Sequence, residues 1–191
     1  MKINPNYFIT SDLHFEHKRL PSFGTRPVGF EEIIVQNWNK TVSADDYVFM
    51  LGDLTLGNKE KTLYHCLRLN GNKYMLLGNH DKKSTKWYLE CGFTVVDPVF
   101  KIFRDDKGSE ARILFTHEPV FPMPKDTHVG KKKIFYYNIH GHRHGNIHHG
   151  GDLPLTDRHI DMSAECTNLT PVPLFDILSH FSEKVGIGHL Q

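Results

Sequence analysis

The chain has 191 residues, 39% of them hydrophobic and 24% charged, and its 23 lysines and arginines nearly balance 22 acidic residues for a net charge of +1. This length predicts a single domain over 1–191 with a hydrophobic core of its own, with no need for disulfide staples. The balanced charge excludes a global field for nucleic acid or membrane surfaces and leaves room only for a local patch. No apolar run approaches the ~20 residues of a membrane span, and Met1-Lys2-Ile3-Asn4-Pro5 lacks a signal-peptide pattern. Three cysteines, at 66, 91 and 166, form no CxxC pair, so the expectation is a reduced, cytoplasmic protein in which Cys166 packs in the core. Histidine is the outlier at 14 copies, some in tracts (His142 and His144, His148 and His149). Such tracts either bind metal or line solvated loops.

In chain order, Tyr7-Phe8-Ile9-Thr10 reads as a buried strand. Residues 30–42 carry apolar side chains at 30, 33, 34, 38 and 42, a helical stripe. A second strand is predicted at 46–51. A helix follows at 59–69 through Leu63, Tyr64 and Leu67, stopped by Asn70-Gly71-Asn72. A third strand is expected at 74–77 and a helix at 84–90. This βαβαβα order predicts a sheet with parallel crossovers. From Phe93 the rhythm changes to strands at 95–103, 111–115 and 134–139, with Asp105-Asp106-Lys107-Gly108 as a hairpin turn. A weaker strand at 159–163 precedes a last helix at 174–181. Residues 118–133, proline-rich and ending in Gly130-Lys131-Lys132-Lys133, read as one long irregular loop.

Five clusters of metal-type donors recur in order: Asp12-Leu13-His14, Gly52-Asp53, Gly78-Asn79-His80-Asp81, Thr116-His117 and Gly141-His142-Arg143-His144. Four follow strand-forming runs directly and the fifth begins inside one. Strand residues i and i+2 share a side, so Asp12 and His14 would aim at one spot, as would His142 and His144. Glycines 52, 78 and 141, with Gly145, fall where positive φ or close backbone approach is needed. Each short match also has a bland alternative: a solvated loop histidine, an Asp cap or an Asn turn. Their joint occurrence at comparable strand ends favours oxygen and nitrogen donors collected around divalent ions.

The series D-x-H, G-D, G-N-H-D, a lone His after a strand and G-H-x-H resembles the calcineurin-like metallophosphoesterase superfamily over residues 10–144. Thr10-Ser11-Asp12-Leu13-His14-Phe15-Glu16-His17, Arg26-Pro27 and Ile139-His140-Gly141-His142-Arg143-His144-Gly145 are similar to its compact bacterial and phage members. The resemblance implies an α/β fold, a four-layer αββα sandwich with two mixed β-sheets face to face and helices outside. It implies two divalent metal ions, Mn²⁺ first and Ni²⁺, Co²⁺, Fe²⁺, Zn²⁺ or Mg²⁺ after it. Asp12, His14, Asp53 and His144 would hold one ion; Asp53, Asn79, His117 and His142 the other, with Asp53 bridging. A hydroxide held between the ions would attack phosphorus, and His80 would stabilise charge or protonate the leaving oxygen. Asp81 reads as a cap of the following helix. His17, Arg26 and Arg143 are the candidate substrate contacts, Arg26 as a bidentate phosphate grip. Lys131-Lys132-Lys133 reads as a solvated run, with contact to a polyanionic substrate as the lesser reading.

The implied activity is hydrolysis of a small phosphoester, a phosphodiester or nucleotide. The alternatives are a nuclease or nucleic-acid end phosphatase, and a non-catalytic interaction module on the same fold. Gly52-Asp53 continues as Leu54-Thr55-Leu56-Gly57, unlike the protein serine/threonine phosphatases, and the chain lacks room for the inserted helices of lipid A-pathway pyrophosphatases. Phosphoprotein and membrane-lipid substrates are therefore disfavoured.

Overall fold

A computed structural model describes residues 7–145, 154–185 and 190 of the chain. Met1–Pro5 and the His148-His149 tract lie outside the described residues.

Two mixed sheets form the body. In the first, β1 (Tyr7–Thr10), β2 (Tyr47–Met50), β3 (Asn72–Met75) and β4 (Phe93–Val95) run parallel, and β10 (Val172–Pro173) pairs antiparallel with β1, in the order β10-β1-β2-β3-β4. The register sets Ile9 beside Phe49 and Phe49 beside Tyr74. The two-residue period sorts the side chains. Phe8, Val48, Met50, Met75 and Phe93 meet α1 (Phe30–Thr41), α2 (Lys59–Cys66) and α3 (Thr85–Glu90) on one face, whereas Ile9, Leu51 and Leu76 turn to the second sheet.

The helices follow from local chemistry. α1 buries Phe30, Ile34, Val35 and Trp38, one stripe of a 3.6-residue repeat, and Trp38 Nε1 donates to Asn70 O at 2.9 Å. Asn58 and Ser84 cap α2 and α3 by accepting from the N–H groups of Lys61 and Trp87.

The second sheet has the order β5 (Val99–Arg104), β6 (Glu110–Phe115), β8 (Lys132–His140), β7 (Thr127–Val129), with β9 (His159–Asp161) also paired to β8. Ala111, Ile113, Phe115, Tyr137 and Ile139 form its inner face. α4 (Leu174–Val185) meets β1 and β10 and adds Ile177, Leu178 and Phe181 to the core between the sheets; the Phe181 and Tyr137 rings stack at 3.9 Å. On the outer face of this sheet Asn138 is tied down by the loop after β6, accepting from Val120 N at 2.8 Å.

Several expectations need correction. The third strand occupies Asn72–Met75 rather than 74–77, because pairing with Tyr47–Met50 overrides the polarity of Asn72 and Lys73. The 95–103 run is two strands in different sheets, broken at Asp97-Pro98, where proline cannot continue a ladder. The second helix stops at Cys66, three residues early, in a run of turns closed by Arg68 and Leu69 N–H groups. Residues 118–133 are not wholly irregular: β7 returns onto β8 through Gly130, at φ 63°. Lys132 and Lys133 begin β8, whose far end leads to Gly141, so at ~3.3 Å per residue they lie roughly 25 Å from that end of the strand. That placement removes them from the candidate site. Cys166 is exposed, in the turn after β9, rather than core.

A cavity of about 660 Å³ lined by Tyr7, Tyr47, Tyr74, Phe103 and Phe115 opens between the sheets near the strand starts. The donor clusters lie at the opposite ends. Among the described residues no helix is long and apolar enough to cross a membrane.

Candidate metal centre

The five clusters meet where β1, β2, β3, β6 and β8 end, the carboxyl edge at which open parallel sheets leave a crevice. Past the strand ends the first two clusters continue side by side: Asp12 N, His14 N and Phe15 N donate to the carbonyls of Gly52, Asp53 and Leu54 at 2.9–3.0 Å. The backbone here is not extended. Asp12, His14, Asp53, His142 and His144 have φ between 47° and 71°, the left-handed region, which costs of order 1 kcal/mol or more for a non-glycine residue and gathers at functional sites. The i, i+2 alternation of a strand is therefore not what aims Asp12 with His14 or His142 with His144. Left-handed turns at each of these positions do.

Two donor groups result. His14 Nε2 lies 3.7 Å from Asp12 Oδ1, 3.6 Å from Asp53 Oδ2 and 3.2 Å from His144 Nε2, which is itself 3.5 Å from Asp12 Oδ1. On the other side His117 Nε2 lies 3.4 Å from the same Asp53 Oδ2 and 2.8 Å from Asn79 Oδ1, while His142 Nδ1 approaches Asn79 Oδ1 at 2.9 Å. Asp12 is close to both groups, since a carboxylate oxygen of Asp12 also falls within 4.8 Å of Asp53 and His117 donors. Donors held at ~2.1 Å from one ion sit roughly 3.0–3.5 Å apart, close to the 3.2–3.7 Å of the first group and the 2.8–3.4 Å of the second. Asp12 Oδ1, the atom facing His14 and His144, is buried without a hydrogen-bond partner among the described residues, which is costly in a protein alone and expected beside a cation. The residues thus fit a divalent metal pair.

The electrostatics agree. Burial alone would raise Asp12, but the imidazole of His14 beside it and the charges of His117 and His144 hold it far below the carboxylate range. Burial opposes charge on His117 as well, yet the Asp53 bond and the charges of Asp12 and Asp53 raise it to about 9. A pocket that stabilises cations so strongly would favour a divalent ion. His142 is held lower, first by burial and then by the charge of His117.

Supports lie behind the donors. His117 Nδ1 donates to Leu51 O at 2.8 Å, leaving Nε2 as the donor atom toward Asp53. Asp12 Oδ2 accepts from His142 N at 2.9 Å and Ser163 Oγ at 3.3 Å, joining the first sheet to the second. Asp81 is not a helix cap; Ser84 has that place. Asp81 is buried and accepts from Asp53 N (2.7 Å), Gly78 N (2.8 Å), Leu54 N (3.1 Å) and Tyr88 Oη (3.2 Å), clamping two motif loops together. Two glycines are required by close approach: a Cβ on Gly141 would overlap Ser11 Oγ and Asp12 Oδ2, and one on Gly78 would overlap Asp53 Oδ1. Gly141→Ala should therefore displace Asp12 and lower metal affinity at least tenfold; calorimetric titration with Mn²⁺ would check this, and unchanged affinity would show that the loop yields freely.

The substrate-side candidates separate. His80 is 44% exposed, its N–H donates to Asp53 Oδ1 at 2.9 Å, and its Nε2 lies 4.0 Å from Asp53 Oδ2. His17 borders the same space, 5.8 Å from His14 ring to ring. Arg26 does not present itself for a phosphate grip. It is 3% exposed, and its guanidinium bonds Glu165 and the carbonyls of Asp12 and Leu13. Arg143 is 1% exposed and offers no surface to a substrate, because the left-handed turns on either side fold it inward. Glu165, whose Oε2 accepts from His144 Nδ1 at 2.9 Å, was missed from the sequence. Its one signal is an acid-Ser-acid alternation, Asp161, Ser163, Glu165, after the weak strand.

Comparison with known proteins shows the family. An uncharacterized protein of Methanocaldococcus jannaschii is 28% identical over 186 residues, covering 93% of this chain and 91% of that protein. The gene 66 protein of Mycobacterium phage L5 is 25% identical over 206 residues, covering 95% and 98%. The crystal structure of a protein of unknown function from Aquifex aeolicus superposes with a TM-score of 0.61 at 25% identity, covering 90% of this chain and 96% of that one. The family model described as calcineurin-like phosphoesterase matches residues 6–184, and the chain belongs to that family.

Proposed function

We propose that the protein is a dinuclear metal-dependent hydrolase of small phosphoesters, a phosphodiester or nucleotide. The observation that carries this reading is Asp53 Oδ2, which faces His14 Nε2 at 3.6 Å and His117 Nε2 at 3.4 Å and so suits one carboxylate shared by two ions. Asp12, His14, Asp53 and His144 would hold the first ion, and Asp53, Asn79, His117 and His142 the second, with Mn²⁺ the first candidate. When bound, such ions lower the pKa of a water and neutralise phosphoryl oxygens.

The chain's own residues do the rest. Buried Asp12 and Asp53 hold fixed charge in a site largely closed to water, where it acts strongly. His80, fixed through its N–H to Asp53 and open to solvent, is placed to give a proton to the leaving oxygen. His17 stands beside it as a second imidazole toward the substrate.

A nucleic-acid substrate is the second reading. Lys18 and Arg19 follow His17 directly, Lys82 and Lys86 follow His80, and all four side chains are exposed. Turnover of a generic aryl phosphodiester tests the main reading: activity should vanish with chelator and return with Mn²⁺. Unchanged turnover after verified metal removal would contradict it. A steep loss of activity on single-stranded oligonucleotides with rising salt, absent for the aryl diester, would favour the second.

A further inference from the structure

We propose that Glu165 and Arg26 form a positioning pair that tunes the metal position built from Asp12, His14 and His144, touching neither metal nor substrate; this rests on the dinuclear reading above. Glu165 lies in the turn after β9, in the chain segment of the second sheet, and Arg26 lies just before α1, in that of the first. Their ion pair is partly buried and two-pronged, with Arg26 Nε to Glu165 Oε1 at 2.8 Å and Nη2 to Oε2 at 3.0 Å. The same guanidinium donates from Nη1 to Leu13 O at 2.6 Å and from Nη2 to Asp12 O at 2.5 Å. It also lies 5.0 Å from the centre of the Phe30 ring, which fixes its plane.

Glu165 Oε2 accepts the Nδ1 proton of His144, so the imidazole's free electron pair sits on Nε2. That atom faces Asp12 Oδ1 at 3.5 Å and His14 Nε2 at 3.2 Å. Arg26 keeps the carboxylate from rotating away, and it holds the carbonyls of the very segment whose left-handed turns, φ 55° at Asp12 and 47° at His14, aim the other two donors. One side chain therefore ties together the loops that carry all three donors. This also explains why an arginine just past the first motif is withdrawn from solvent, where a phosphate-gripping residue would be open.

The other metal position has supports of its own. His117 is oriented by Leu51 O, and the Asp53 and Gly78 loops by Asp81. Damage to the Glu165–Arg26 pair should therefore fall on one position and spare the other, whereas general loosening of the fold would weaken both.

The test is calorimetric titration of the chelator-stripped, full-length protein with Mn²⁺, for the wild type and for Glu165→Gln, Glu165→Ala and Arg26→Lys, with far-ultraviolet circular dichroism to confirm folding. The wild type should bind two ions. Glu165→Gln should weaken one of them by about 10- to 100-fold and leave the other within about twofold. Glu165→Ala should weaken the same one further, because glutamine keeps an oxygen for His144 Nδ1 and alanine keeps none. Arg26→Lys should reproduce the glutamine effect. If alanine at 165 prevents folding, the glutamine and lysine variants still decide. Two ions in the wild type, with both affinities lowered equally or neither lowered, would overturn the positioning role alone. Fewer than two ions in the wild type would overturn the dinuclear reading, and this proposal with it.

Discussion

Asp53→Ala is expected to abolish both binding of the metal pair and turnover. Its Oδ2 faces donors of both groups, at 3.6 Å from His14 Nε2 and 3.4 Å from His117 Nε2. If each ion contributes several kcal/mol of transition-state stabilisation, losing the pair costs roughly 10⁴-fold or more in rate. The fold itself should survive. The variant loses the acceptor for His80 N–H, worth about 1 kcal/mol, while relief of charge crowding beside buried Asp12 works the other way. The measurement is thermal melting with and without Mn²⁺. At 100 times the dissociation constant the wild type should gain about 2.7 kcal/mol per site, and the variant almost nothing. Full activity in Asp53→Ala would sink the shared-carboxylate assignment.

His80→Ala should separate chemistry from metal binding. The ring is exposed and its nitrogen stands 4.0 Å from Asp53 Oδ2, so it lies at the mouth of the site instead of among the donors. The variant should keep both ions and lose about 10²- to 10⁴-fold in turnover, the usual range for a positioned acid or base. The loss should depend on the leaving group. An aryl phosphodiester with a weakly basic leaving oxygen needs little protonation and should suffer least, whereas an alkyl diester should suffer most. Loss of metal in this variant would make His80 a ligand. An equal loss across leaving groups would point to charge stabilisation instead of proton donation.

Much of this architecture was legible because it depends on periodicity and order. The stripe at Phe30, Ile34 and Trp38 marks a helix, the βαβ rhythm marks parallel strands, and glycines before the donor residues mark close approach, which Gly78 and Gly141 bear out by the overlap any Cβ would cause. What the pattern concealed was local backbone sign. Asp12-Leu13-His14 looks like strand continuation, but β1 ends at Thr10 and the donors sit in left-handed turns, a conformation that Asp and His tolerate better than most residues yet rarely announce. Partners distant in the chain were equally hidden. Arg26 and Glu165 are 139 residues apart, so an arginine beside a phosphate motif reads as a phosphate contact until its carboxylate is found. Asp81 looked like a cap because it precedes a helix; its real partners, Asp53 and Leu54, lie 28 and 27 residues earlier on another strand's loop.

The proposed function rests on Asp53 as one carboxylate shared by two metal ions. Anomalous diffraction from crystals of the full-length protein grown with Mn²⁺ tests it most directly. Two peaks ~3.5–4 Å apart, both within bonding distance of the Asp53 carboxylate, are the predicted result. A single peak, or two peaks with Asp53 bound to only one, would contradict it.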